Sequence, residues 1–115
     1  MRMYGYNLET IINNVDRIQQ IPKASLNWGD VVFVTTHNSI YKIQKKDNNF
    51  FEVSGGWFDR KGLSPFEVTV RGCSWGGSII KIDIVAACGL CVEFGNRLIT
   101  SPIRKIDVIK FKNMN

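Results

Sequence analysis

The second half of the chain keeps a two-residue beat. Phe66, Val68 and Val70 alternate with Glu67, Thr69 and Arg71. Ile80, Ile82 and Ile84 alternate with Lys81 and Asp83, and Leu90, Val92 and Phe94 with Cys91 and Glu93. Successive side chains of an extended strand point to opposite faces, so each stretch predicts a strand with one dry and one wet face. In the first half the run Val31, Val32, Phe33, Val34 is continuous, as expected of a strand covered on both sides. Turn residues separate these stretches. Thr36, His37, Asn38 and Ser39 lead into 40–43 as a hairpin, with Asn38 tolerating a positive φ. Asp47, Asn48 and Asn49 precede a short strand over 50–53, and 55–65 reads as a longer loop carrying Trp57, Phe58, Arg60 and Lys61. Gly95 and Asn96 turn into 97–100, and Pro102 interrupts before the last strand, 103–111. About seven or eight short strands at this spacing predict an all-β fold, a small antiparallel barrel-like domain or compact sandwich.

The N-terminal segment has a different period. Leu8, Ile11, Ile12, Val15 and Ile18 fall on one helical face, leaving Glu9, Asn13, Asp16, Arg17 and Gln20 on the other. Asn7 is a suitable N-cap, and Pro22 ends the helix because it lacks an amide hydrogen and biases Ile21 away from helical angles. The expected organisation is an N-terminal amphipathic helix and connector over 1–29, then a barrel-like domain over 30–115, together one structural unit. The helix must bury its stripe across an open barrel end or against a second copy, so a homo-oligomer is compatible with the sequence.

With 44% hydrophobic and 22% charged residues, the chain is neither a disordered tail nor a fibrous repeat. Its longest apolar run, 84–92, is nine residues, against the roughly 20 a membrane helix needs. With no signal-like start, a cytoplasmic location and no membrane partner are the expectation. Three cysteines, Cys73, Cys88 and Cys91, are an odd set and predict no disulfide framework. The net charge is +5, and 97–115 holds Arg97, Arg104, Lys105, Lys110 and Lys112 against Asp107 alone. A basic end of this kind meets nucleic acid or an acidic protein, or is simply a solvated surface.

The stretches HNSIYKI (37–43), VSGGWF (53–58), GCSWGGSIIK (72–81), AACGLCVEFGN (86–96) and ITSPIRKI (99–106) together resemble a family of small uncharacterised bacterial proteins. The shared pattern is N-S-x-Y, then G-x-x-W-G-G-S, an E-F turn, and T-S-P-V, with Ile103 here in place of the valine. The resemblance implies a small β domain over about 31–107, of no assigned activity, and transfers no catalytic residue.

Candidate sites are few. Cys88, Gly89, Leu90 and Cys91 form a C-x-x-C, but on a strand the two thiols point apart, Cys91 with Glu93 and Cys88 toward the core. Zinc would also need Cys73 and His37, so no metal or cofactor is expected. Asp83 and Glu93 share the wet face, where Lys81 and Arg71 make a salt-bridged surface the simpler reading than an acid–base pair. No enzyme is expected. In GCSWGGSIIK, Gly76, Gly77 and Ser78 predict a strand corner first and an anion nest second, the latter flanked by Arg71, Lys81 and the flat ring of Trp75. The leading expectation is a non-enzymatic binding module for nucleic acid or another polyanion. It would use Arg97, Arg104, Lys105, Lys110 and Lys112, with Trp57 or Trp75 stacking. The alternative is a protein-interaction or self-assembly module using the N-terminal helix and Trp57, Phe58 and Leu63.

Overall fold

A computed structural model describes residues 20–75 and 80–111. Residues 1–19 of the expected N-terminal helix therefore lie outside the described residues, as do Gly76, Gly77, Ser78 and Lys112, while its expected last residues, Gln20 and Ile21, are extended and pair with another strand instead. The order is β1 (Gln20–Pro22), a 3₁₀ turn (Lys23–Ser25), β2 (Val31–Thr36), β3 (Ile40–Lys45), β4 (Phe50–Gly55), α1 (Gly56–Arg60), β5 (Phe66–Ser74), β6 (Ile80–Lys81), β7 (Ile84–Ala87), β8 (Cys91–Phe94) and β9 (Ile103–Ile109). Every pairing is antiparallel. The larger sheet runs β6-β5-β4-β3-β2-β9 with β8 also on β5, and β1 pairs β7 as a second, two-stranded sheet. The all-β expectation holds.

Alternation explains the main sheet. Val32 and Val34, Tyr41 and Ile43, Phe51 and Val53, Val68 and Val70, and Ile106 all fall on one face and are buried there. The two-stranded layer closes over them: β7 is buried at all its positions, and Ile21 of β1 packs against the core. The long strand β5 serves both halves, pairing β4 through Phe66 to Thr69 and β8 through Val70 to Ser74. Arg71 is an extra residue at the register shift between Val70 and Gly72, and such a bulge bends the strand. Gly72 follows with φ 146°, and a Cβ there would collide with the Lys81 carbonyl oxygen, so β6 can pass directly over it.

The sheets do not close into a barrel. Among the described residues no ladder joins β8 to β9; the connector supplies three backbone bonds instead. Thr100 N–H donates to Val92 O (3.0 Å), Gly89 N–H to Ile103 O (2.8 Å) and Ile103 N–H to Leu90 O (2.9 Å). Pro102, with no N–H, sits in the middle of this seam, and Glu93 opposite Ile99 is an isolated bridge.

Four more expectations change. The stretch 80–84 is not one strand: β6 pairs β5 and β7 pairs β1, so the chain changes sheets at Ile82 and Asp83, leaving Ile82 exposed. On β8 the wet face is absent, because Cys91 and Glu93 are buried as well as Val92 and Phe94. The 55–65 loop contains α1, entered through Gly55 (φ 95°) and Gly56 (φ 48°). Asn38 does not take the positive φ expected of it; Asn48 (58°) and Arg97 (74°) do.

Candidate functional site

The expected basic surface is divided by the fold. Lys105 pairs across from Thr35 and Ile103 from Thr36, so Arg104 and Lys105 sit where β2 ends. Lys110 follows β9 at the opposite end, six residues on, or about 20 Å of extended chain. Lys105 lies 3.7 Å from Asp107, an exposed pair. The Lys110 ammonium is committed inward, donating to Asp30 Oδ2 (2.9 Å) and Ser25 O (2.9 Å). Arg97 is exposed in the turn after β8; Gly95 of that turn donates to Thr69 O, and Thr69 pairs with Phe50 at the start of β4. Arg97 thus belongs to the Lys110 end, and Arg104 and Lys105 do not.

At the flanks of the GCSWGGSIIK stretch Ser74 pairs Ile80 and Cys73 pairs Lys81. Arg71 reaches the buried Glu93 at 4.0 Å, while Lys81 and Trp75 are exposed. The rival apolar surface loses its central member: Phe58 is 0% exposed and packs with Tyr41, Trp57, Phe66 and Phe94. Trp57 is half-buried on the same cluster, which leaves Leu63 exposed.

The sequence did not announce the group that the fold assembles at the Lys110 end. Trp28, in the connector before β2, meets Phe111, just past β9, with ring centroids 5.5 Å apart and planes at 89°. They remain 50% and 54% exposed, and the Lys46 ammonium stands 5.1 Å from the Trp28 ring centroid. Gly29 makes the contact possible. Its φ is 91°, and a Cβ there would lie 2.7 Å from Cγ of Phe111, so the ring rests directly on the glycine backbone. Next to it the buried carboxylate of Asp30 accepts from Asn27 N–H (2.8 Å), Phe111 N–H (2.8 Å) and Lys110. Burial alone would raise the Asp30 carboxyl, but the two amide bonds and the Lys110 ammonium outweigh it and hold it below the usual range. Lys45 completes the edge, donating to Lys46 O (2.7 Å) and Asn48 O (2.6 Å). Trp28 and Phe111 come from opposite ends of the described chain, so no local spacing could have joined them.

Elsewhere the polar groups satisfy each other. Asn38 Nδ2 donates to Ser101 Oγ (2.9 Å) and Arg60 Nη1 to Ser39 Oγ (3.2 Å), which ties the β2–β3 turn to the segment before β9 and to α1. His37 is exposed in the β2–β3 turn. All three cysteines are free. Burial pushes the Cys73 thiol up to about 12 and raises Cys88 and Cys91, the latter helped by Glu93. Among the described residues no three His, Cys, Asp or Glu side chains are grouped to hold a metal ion, and no helix is long and apolar enough to cross a membrane. No family model, curated protein or solved structure matches this sequence.

Proposed function

We propose that this protein is a binding module for nucleic acid, engaged through the end of the sheet where β2 and β4 begin. The observation that carries this reading is the exposed Trp28–Phe111 pair with the Lys46 ammonium at its side. Cations support it: Lys45 ends β3 and Lys46 follows it beside the Trp28 ring. Phosphate chains are attracted to ammonium groups, and aromatic faces accept their bases. The thiols give little support to a catalytic role, since burial keeps them protonated and poorly nucleophilic near neutral pH.

Fluorescence anisotropy with labelled single-stranded RNA, single-stranded DNA and duplex DNA tests this. If about three phosphates are contacted, affinity for a single strand should fall about 20-fold between about 50 and 200 mM salt. Absence of binding to all three at the lower salt would remove the proposal and leave the charge as solvated surface.

A further inference from the structure

We infer that the right-angled corner of Trp28 and Phe111 seats one unpaired nucleobase, with Lys46 on the phosphate beside it. This rests on the nucleic-acid reading above and names what that ligand must present. The two rings meet at 89° and each is about half exposed, so a planar group laid on one ring meets the other at its rim. Phe111 lies close over the Gly29 backbone and is still 54% exposed, so ring surface remains for a ligand.

The corner is also fixed in advance. The Phe111 amide is held by the buried Asp30 carboxylate, the same group that holds the Lys110 ammonium and the Asn27 amide. The backbone at Phe111 and at Asn27, next to Trp28, is therefore tied to one residue, which lowers the ordering a ligand must impose. Lys46 stands over Trp28, within one side chain of the stacking position. Its cation suits a phosphate rather than a neutral sugar. In a duplex every base is already stacked between neighbours, so the corner selects single strands or flipped-out bases.

The test uses the full chain and three probes: a thymidine oligomer of about twelve nucleotides, the same backbone with abasic sites, and heparin. Base stacking on an aromatic side chain typically changes affinity by about tenfold or more. The oligomer should therefore bind at least about tenfold tighter than its abasic analogue. Phe111→Leu and Trp28→Leu keep apolar bulk but remove the ring, and should bring the oligomer down to the abasic level while leaving abasic and heparin binding unchanged. In a Trp57→Phe/Trp75→Phe background, Trp28 emission should be quenched by the oligomer and not by heparin. That readout stands even where a leucine variant folds poorly. Equal binding of normal and abasic strands with no quenching would overturn the stacking corner and leave a phosphate-binding surface standing. Failure of all three probes to bind at low salt would overturn the functional reading, and the corner with it.

Discussion

Asp30 shows how much one side chain can organise. It is buried, carries a negative charge, and is surrounded by three donors from residues 27, 110 and 111. Removing it in Asp30→Ala strands two amides and frees Lys110, which should cost about 2–3 kcal/mol at neutral pH, discounted for the half-exposed lysine. Its pH dependence has a fixed sign. The folded carboxyl titrates below its unfolded value of about 3.9, so its stabilisation is complete above that value and drains as pH falls toward the folded one. Urea midpoints measured from pH 6 down to about 3 should drop more steeply for the native sequence than for Asp30→Asn. Equal slopes would show that Asp30 is not the group responsible. Gly72 makes a second residue-scale prediction. With φ 146° and the Lys81 carbonyl in the space of a Cβ, Gly72→Ala should destabilise by about 2–4 kcal/mol in the same experiment.

At the scale of elements, α1 is the clearest case of tertiary packing making local structure. Five residues cannot sustain a helix alone, and this one opens with two glycines at positive φ. Phe58, fully buried, ties it to the sheet, and the Trp57 amide donates to the Tyr41 hydroxyl (3.3 Å). Phe58→Ala should therefore cost about 3–5 kcal/mol, read as a lower melting temperature, rather than weaken any association between molecules. The thiols order themselves by element too. Cys88, half-buried in the turn after β7, should label first in the native protein, and Cys73, inside β5 and titrating near 12, only on unfolding. Rapid native labelling of Cys73 would contradict its placement. These elements also show what the sequence made legible. Strands β2 to β5 and β9 could be read because a core with solvent or half-solvent behind it leaves alternation or a clean apolar run. The breaks at Ile82 and Gly89 could not, because β7 and β8 are buried on every side and Ile84 to Val92 reads as one apolar stretch. Of the expected site residues, Lys110 stands beside the candidate surface with its ammonium on Asp30, while Trp28, Lys46 and Phe111 went unread because pairing across the whole described chain brings them together.

The charge of the whole molecule was visible as a bias toward its C-terminal end, but linear position is a poor guide to a surface. Strand β9 carries that bias along its length, so Arg104 and Lys110 stand at opposite ends of the sheet, separated by about 20 Å. The Debye length at physiological salt is about 8 Å, so a charge that far from a bound phosphate is largely screened, while one beside it is not. Two substitutions with the same change in net charge can separate contact from general attraction. Lys46→Glu and Arg104→Glu each replace one positive charge with a negative one, and at about 50 mM salt, where screening is weaker, both should reduce oligonucleotide affinity. Near 150 mM salt the Arg104→Glu protein should approach native affinity, whereas Lys46→Glu should stay about tenfold or more weaker. The opposite ranking would move the binding surface to the β2–β3 turn, where Arg60, Ser39, Asn38 and Ser101 already form a connected polar rim.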